Sequence, residues 1–169
     1  FTPKGVSIIA LDNAKAALIN MNLEADRFEE YECKETIKAG INISNFFKIL
    51  KFITSNDVLT INIRDSDKMN ITIENSTKNS RTKFDLKLLW INEDELQIPE
   101  IDTDQSDYEG TIGNKYSLKY INLFTKATGM CSNMRIEQSA PAESMPIRFV
   151  YDVANLGKIE FFLAAKLDE

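Results

Sequence analysis

Four lysines in two short amphipathic segments are the residues with the clearest candidate role in binding chemistry. Lys48 and Lys51 lie opposite an apolar stripe in the first segment. Lys119 and Lys126 are seven residues apart in the second segment. On a helix, both side chains would therefore project from the same side, two turns apart. Flexible ammonium groups attract phosphates weakly and without reading sequence. On the pattern alone, however, a solvated helix face is the simpler interpretation.

Both segments are predicted to be helices because apolar residues recur at i, i+3, i+4 and i+7. The first runs from Ser44, a candidate N-cap, to Ile53. Its stripe consists of Phe46, Ile49, Leu50 and Ile53. The second lies within residues 115–128 and stops at Gly129. Its stripe consists of Tyr120, Leu123, Phe124 and Ala127. Alternating segments follow each helix, so the chain carries a weak internal repeat of helix plus strands.

Alternation of apolar and polar residues predicts strands on both sides of these helices. The predicted strands cover residues 5–12, 16–23, 28–33, 37–43, 57–64, 69–74, 81–90, 133–139, 147–153 and 158–164. In 81–90, Phe84, Leu86, Leu88 and Trp90 alternate with charged residues, as in an antiparallel sheet with one face in solvent. A hairpin turn is predicted at residues 155–157. The predicted fold class is therefore α+β.

Composition and charge narrow the functional classes. The chain has 169 residues and a net charge of −6, which by itself argues against tight nucleic-acid binding, although local basic faces can coexist with an acidic exterior. Because histidine is absent, Ser-His-Asp and Cys-His catalysis and most zinc sites are excluded. We therefore predict no catalytic residues, no metal and no cofactor. Cys33 and Cys131 fit structural thiols in a reducing compartment.

An acidic segment rich in Asp, Glu, Ser and Gly separates the two halves of the pattern, at residues 92–113. Such a segment is ordinarily a plain connector. Its apolar residues Leu96, Ile98 and Pro99 nevertheless need a surface to cover.

Several motifs, in order along the chain, resemble one known family, the eukaryotic-type DNA sliding clamp called proliferating cell nuclear antigen. The motifs are Ala10-Leu11-Asp12, Lys48-Ile49-Leu50-Lys51, Leu96-Gln97-Ile98-Pro99-Glu100, Tyr120-Ile121-Asn122-Leu123-Phe124-Thr125-Lys126-Ala127-Thr128 and Phe161-Phe162-Leu163-Ala164. The linker motif and the Phe-Thr-Lys-Ala-Thr segment are quite specific together. The resemblance covers nearly all of residues 1–100 and 115–169 and implies the DNA-clamp fold, with antiparallel sheets and short helices on the side facing DNA.

The family's chain has two domains, each built from two strand–helix–strands units. This sequence resembles the first domain without its opening strand, helix and strand, then the linker, then only the last unit of the second domain. We therefore expect an incomplete N-terminal clamp domain at 1–91, an interdomain linker at 92–114 and an incomplete C-terminal clamp domain at 115–169. Because the chain opens with Phe1 inside a strand-like pattern, we expect a fragment or a chain with its start removed.

The resemblance implies a non-enzymatic sliding clamp, a processivity factor for DNA polymerase and a docking platform for replication and repair proteins. Its implied partners are double-stranded DNA, polymerases and other proteins with a clamp-binding motif, a clamp loader and, if the chain is complete, two further copies in a homotrimer. We expect no membrane partner, and the implied location is the nucleus, or a viral replication site if the source is a virus.

Two sets of site residues follow from the resemblance alone. The implied DNA-facing residues are Lys48, Lys51, Lys119 and Lys126. The implied partner-binding residues are Leu11, Lys15, Ala16, Leu96, Ile98, Pro99, Pro146, Phe162, Ala164 and Ala165. The resemblance implies that a partner inserts its aromatic anchors beneath the linker, in a shallow apolar groove that the linker residues share with Leu11 and Phe162. The family usually has His, Tyr and Pro where this chain has Lys15, Phe162 and Ala165.

Two other functional classes remain open from the sequence. The first is a DNA-free interaction module that keeps the linker groove but forms no ring. The second is a small enzyme, which no nucleophile–base pair, metal cluster or phosphate-binding loop in the sequence supports.

Overall fold

The protein divides into two compact units. A computed structural model describes residues 1–65, 67–91, 96–99, 113–131, 133–138 and 145–166. The first unit combines residues 1–36 with 95–169, and the second consists of residues 37–94. The domain boundaries predicted at residues 91 and 114 remain predictions, because the segment between them is described only at 96–99 and 113–114.

The first unit contains a five-stranded antiparallel sheet. Its strands are β1 (Gly5–Leu11), β2 (Ala17–Glu24), β6 (Met134–Glu137), β7 (Ile147–Val153) and β8 (Gly157–Leu163). They lie in the order β1-β2-β8-β7-β6, so β2 from the beginning of the chain pairs directly with β8 from its end. The β7–β8 turn brings Gly157 so close to the Asn22 carbonyl of β2 that a Cβ there would clash, which explains the glycine.

One face of this sheet packs against the helix α2 (Leu118–Phe124). Phe124 is buried and stacks on Phe161, with ring centroids 4.6 Å apart, and its ring lies 5.6 Å from that of Phe149. Ala127, also buried, follows in a short 3-10 segment at Thr125–Gly129. The predicted apolar stripe is wrong at Leu123, which is exposed. Because the chain tightens into a 3-10 turn after Phe124, only a narrow face of the helix lies against the sheet.

The second unit contains the helix α1 (Ile43–Leu50) and a three-stranded antiparallel sheet. The strands β3 (Val58–Asp65), β4 (Lys68–Asn75) and β5 (Ser80–Lys87) lie in that order. On β4, Met69, Ile71 and Ile73 are buried and alternate with half-buried residues. Among the described residues, a helix is thus followed by three antiparallel strands in each unit, which confirms the predicted repeat.

Helix α1 differs from the prediction at its start. It begins at Ile43, and its N-cap is Asn42, whose Oδ1 accepts the Asn45 amide at 3.0 Å. Ser44 is therefore inside the helix and is not the cap. The predicted stripe is the less exposed face, but its members are only half-buried and α1 has no buried residue.

Two predicted strands are wrong, and a third is wrong in part. Residues 28–33 and 37–43 form no strand, and only an isolated bridge joins Gly40 to Leu89. Phe28 and Tyr31 instead form a ring pair, and the Tyr31 hydroxyl donates to the backbone oxygens of Thr2 and Gly5. The predicted strand 81–90 stops at Lys87, where the β4 ladder ends, so Trp90 is exposed and does not join the apolar face.

We predict that Phe124→Ala destabilises the first unit by about 3–5 kcal/mol, because it removes a ring that contacts two buried aromatic residues. Urea unfolding followed by circular dichroism measures the effect. Leu123→Ala, which changes the neighbouring exposed residue, is the matched control and should cost less than about 1 kcal/mol. Equal losses in the two variants would contradict the described packing of α2.

Candidate functional site

The loop between β1 and β2 is held by one carboxylate. Asp12 Oδ1 accepts the amides of Ala16 at 2.7 Å and Ala17 at 2.8 Å, and Oδ2 accepts that of Ala14 at 3.2 Å. These bonds stabilise a tight turn in which Lys15 adopts a positive φ of 54°. The aspartate therefore positions Leu11, Lys15 and Ala16, three of the predicted partner-binding residues.

Asp12 also connects this loop to α2. The Tyr120 hydroxyl donates a hydrogen bond to Asp12 Oδ2. This bond and the backbone amides, that of Ala17 first among them, lower the pKa of Asp12 from 3.8 to about 2. The same contact raises the pKa of Tyr120, because the neighbouring carboxylate disfavours a phenolate. The loop is thus fixed to the helix by a charge-assisted hydrogen bond.

A small apolar cluster lies beside this loop. Leu11 is paired with Leu18, and Leu18 with Phe162, so three adjacent strands present these residues side by side. Leu11 and Met145 pack against the buried pair Leu18 and Phe162. Phe162 is only 1% exposed. It therefore forms the buried base of the cluster, and Leu11 and Met145 are its more accessible members.

The backbone continues this arrangement at the end of β8. The Ala164 amide donates to the Ala16 carbonyl at 2.9 Å, so the segment after β8 lies against the β1–β2 loop. Ala164 is exposed, and Ala165 and Pro146 are half-buried. The structure thus brings Leu11, Ala16, Phe162 and Ala164 together.

The linker residues in the predicted set are described only at 96–99. Leu96 and Ile98 are 37% and 38% exposed, and Pro99 is half-buried. All ten predicted partner-binding residues belong to the first unit. That Leu96, Ile98 and Pro99 line one groove with Leu11 remains a prediction.

Three residues of this region were absent from the predicted set: Asp12, Leu18 and Met145. The Asp12-Asn13 turn signal was recognisable, but its role in fixing the loop depends on Tyr120, which is far away in sequence. Leu18 alternates with Asn20 and Asn22, so its face of β2 reads as polar. Met145 carries no pattern that distinguishes it from other residues of a loop.

A buried polar network lies beside the apolar cluster on the same sheet. Asn20 Nδ2 donates to Glu160 Oε2 at 2.7 Å, and Arg148 Nη1 lies 3.6 Å from Glu160 Oε1. Arg148 also binds Glu137, with its Nε 2.7 Å from Oε2. Asn20 and Glu160 are buried, and pairing with partners on neighbouring strands offsets the cost of desolvating these polar groups. The network joins β2, β8, β7 and β6 through their side chains.

The four predicted DNA-facing lysines are all exposed. Lys48 and Lys51 belong to the second unit, and Lys119 and Lys126 to the first. None of them forms an ion pair with another described residue, whereas Lys34 and Lys68 pair with Glu32 and Asp85. The ammonium group of Lys51 lies 4.9 Å from the Phe47 ring centre, and that of Lys119 lies 5.9 Å from the Tyr120 ring centre. Whether the four face one surface remains a prediction.

The described ranges contain no group of three or more metal-binding side chains. Neither helix within them has the length and hydrophobicity needed to cross a bilayer.

Comparison with known proteins places these features in a family context. Residues 1–97 match the family model described as "Proliferating cell nuclear antigen, N-terminal domain". A relative in Paramecium bursaria Chlorella virus 1, named "Probable DNA polymerase sliding clamp 1", is 29% identical over 226 positions that span 97% of this chain and 85% of the viral protein. The alignment is longer than the 169-residue chain, so the viral protein contains internal residues with no counterpart here.

A second relative is a "Proliferating cell nuclear antigen" from Chaetomium thermophilum. It is 31% identical over 134 residues, which cover 79% of this chain. The matched part of this chain spans about half, 49%, of that relative's length.

We predict that Tyr120→Phe raises the pKa of Asp12 toward 3.8, because it removes the largest cause of the lowered value. Since the folded-state pKa lies below the ordinary one, the carboxylate contributes stability that is present above pH 3.8 and is lost as the pH falls through about 2. Titration of the Asp12 side-chain carboxyl carbon by NMR measures the change.

The matched control is Tyr116→Phe, because the Tyr116 hydroxyl interacts with Gln138 and not with Asp12. An Asp12 pKa that stays near 2 in Tyr120→Phe would show that the backbone amides alone hold the carboxylate.

Proposed function

Because this chain belongs to the proliferating cell nuclear antigen family, we propose that it is a DNA sliding clamp, a non-enzymatic processivity factor and docking platform. The observation that carries the proposal is the family match over residues 1–97, together with relatives named as sliding clamps. The fold is of the expected class, with antiparallel sheets and two short helices among the described residues.

DNA contact is assigned to Lys48, Lys51, Lys119 and Lys126. Their support is local: they are exposed, and no described acidic residue neutralises them. A few lysines facing phosphates provide weak attraction that depends on salt and not on base sequence. Weak attraction suits a protein that slides, since a tight base-reading site would arrest it. A closed ring would then retain the protein on DNA, which is compatible with a net charge of −6.

Protein docking is assigned to the first unit. Leu11 and Met145 there present apolar side chains over the buried Phe162, and the Asp12 loop fixes Lys15 and Ala16 beside them. Exposed Leu96 and Ile98 add apolar surface on the linker. An apolar surface with a rigid base is suited to receive the anchor side chains of a partner's short motif.

The finer assignments rest on family membership. We assign as partners DNA polymerase, other proteins that carry a clamp-binding motif, and a clamp loader. A homotrimeric ring, if the chain is complete, would enclose the DNA. The location is the nucleus or a viral replication site, and the viral relative supports the second.

We predict that the protein stays on closed circular duplex DNA after loading and leaves when the circle is cut, as measured by gel filtration of the complexes. Replacing Lys48, Lys51, Lys119 and Lys126 together with Ala should reduce loading. Each lost phosphate contact should reduce the magnitude of the negative slope of log binding constant against log salt concentration by about 0.9. Binding of a clamp-binding-motif peptide should be unchanged.

The charge-matched control replaces four other exposed lysines with Ala: Lys4, Lys34, Lys87 and Lys158. It has the same net charge as the first variant, so a specific DNA-facing role requires that loading falls only in the first. Equal loss in both variants, or loss of peptide binding in the first, would contradict the assignment.

We also predict that Ile98→Ala weakens binding of a clamp-binding-motif peptide about fivefold to thirtyfold, because truncating an interface anchor costs roughly 1–2 kcal/mol. Fluorescence anisotropy of a labelled peptide measures this, and DNA loading should not change. Ile136→Ala, an exposed isoleucine on β6 outside the predicted set, is the control. Unchanged peptide affinity in Ile98→Ala would remove the linker from the docking site.

A further inference from the structure

The loop between β1 and β2 holds Lys15 in a backbone conformation that lysine rarely adopts. Its φ is 54°, in the left-handed region that glycine and asparagine tolerate best. Asp12 enforces this turn, because its carbonyl accepts the Lys15 amide at 3.0 Å and its carboxylate accepts the amides of Ala14 and Ala16. The Lys15 side chain is exposed and binds no other described residue. An unfavourable backbone conformation at an exposed position points to a function of that side chain.

A second exposed lysine, Lys166, belongs to the segment that lies against this loop. The Ala164 amide donates to the Ala16 carbonyl, so Lys15 and Lys166 are each within two residues of this contact. The Lys166 amide in turn donates to the Lys115 carbonyl at 2.8 Å, which fixes the backbone of the segment. Like Lys15, Lys166 forms no ion pair with another described residue. This end of the β2–β8 ladder therefore carries two cationic side chains.

Carboxylates of the same loop and of the adjoining sheet face are already engaged. The Asp12 carboxylate accepts three backbone amides and the Tyr120 hydroxyl. Glu137 and Glu160 lie on the sheet face that carries the apolar cluster, and both pair with Arg148. The two lysines at the end of the ladder are therefore not neutralised by these neighbours, although the protein as a whole has a net charge of −6.

We propose that Lys15 and Lys166 select partner motifs that carry an acidic residue beside their apolar anchors. This inference rests on the docking function proposed for the first unit and specifies the chemistry of its partner. The apolar cluster over Phe162 receives the anchors, and a carboxylate on the flank of the motif lies against the ammonium groups. Charges at the rim of an interface contribute to partner choice and association rate more than to total affinity.

An acidic partner is opposite to what the total charge of the protein favours. A net charge of −6 by itself attracts basic peptides. Because the Debye length is about 8 Å at physiological ionic strength, however, charges elsewhere on the protein are largely screened from a bound peptide. The two lysines beside the apolar cluster therefore determine the preference, and the local and the global charge predict opposite results.

Fluorescence anisotropy with three labelled peptides tests the preference. The peptides share one clamp-binding motif and differ only in one residue on each side of its anchors, which is Asp, Asn or Lys. At physiological salt we expect the Asp peptide to bind the full chain most tightly and the Lys peptide least tightly. Each step should be about twofold to fivefold, as for exposed ion pairs. At about 1 M salt, where the Debye length is about 3 Å, the differences should disappear.

Charge reversal identifies the lysines that are responsible. Lys15→Glu and Lys166→Glu should each reduce the preference for the Asp peptide, and the double variant should reverse it. Lys158→Glu is the matched control, because Lys158 is exposed at the other end of the same ladder. It lies roughly 15 Å along β8 from Leu163, beyond the Debye length, and should leave the order unchanged. Lys15→Asn suits the positive φ, so it removes the charge without straining the turn and should also weaken the preference.

The outcomes distinguish this inference from the docking function on which it rests. Equal affinity for the three peptides, or tightest binding of the Lys peptide, overturns the acidic preference and leaves docking in place. An Asp preference that persists in the double variant, or that Lys158→Glu reduces as much, overturns the assignment to Lys15 and Lys166. If the unaltered protein binds none of the three peptides, the docking function fails and the inference fails with it.

Discussion

The pairing of β2 with β8 is the contact on which the first unit depends. It joins residues 17–23 to residues 157–163, so both ends of the described chain contribute to one sheet. Leu18 and Phe162 meet only because of this ladder, and so do Asn20 and Glu160. The contact of Ala16 with Ala164 extends it by one step. Without this long-range pairing, the predicted docking residues would be distributed over unconnected hairpins.

The same ladder separates two environments. On one face, Phe161 and Ile159 pack with α2 into an aromatic core. On the other, Phe162 and Glu160 belong to a small apolar cluster and a buried ion network. Alternation along one strand therefore places the aromatic core on one side and the predicted docking residue Phe162 on the other. The Tyr120–Asp12 hydrogen bond connects the two sides, because it ties the helix to the loop that carries Lys15 and Ala16.

The charges of the protein bear on its proposed contact with DNA. The protein is acidic overall, yet the lysines assigned to DNA have no ion-pair partner among the described residues. If they face DNA as proposed, screening by salt would limit their attraction to short range, and the acidic remainder would limit general affinity for nucleic acid. Under the proposed function, a closed ring and not binding strength would retain the protein on DNA.

The sequence by itself determined the α+β class, both helices, the strands of each meander and the family, because periodicity and short motifs are local properties. β7 matches its prediction at both ends, and β2, β3 and β8 lie within one residue of theirs. Only the tertiary structure decided that residues 28–42 lack strands, that Trp90 and Leu123 are exposed and that Phe162 is buried. These outcomes depend on which distant segments pair, and alternation within one segment carries no information about its partner.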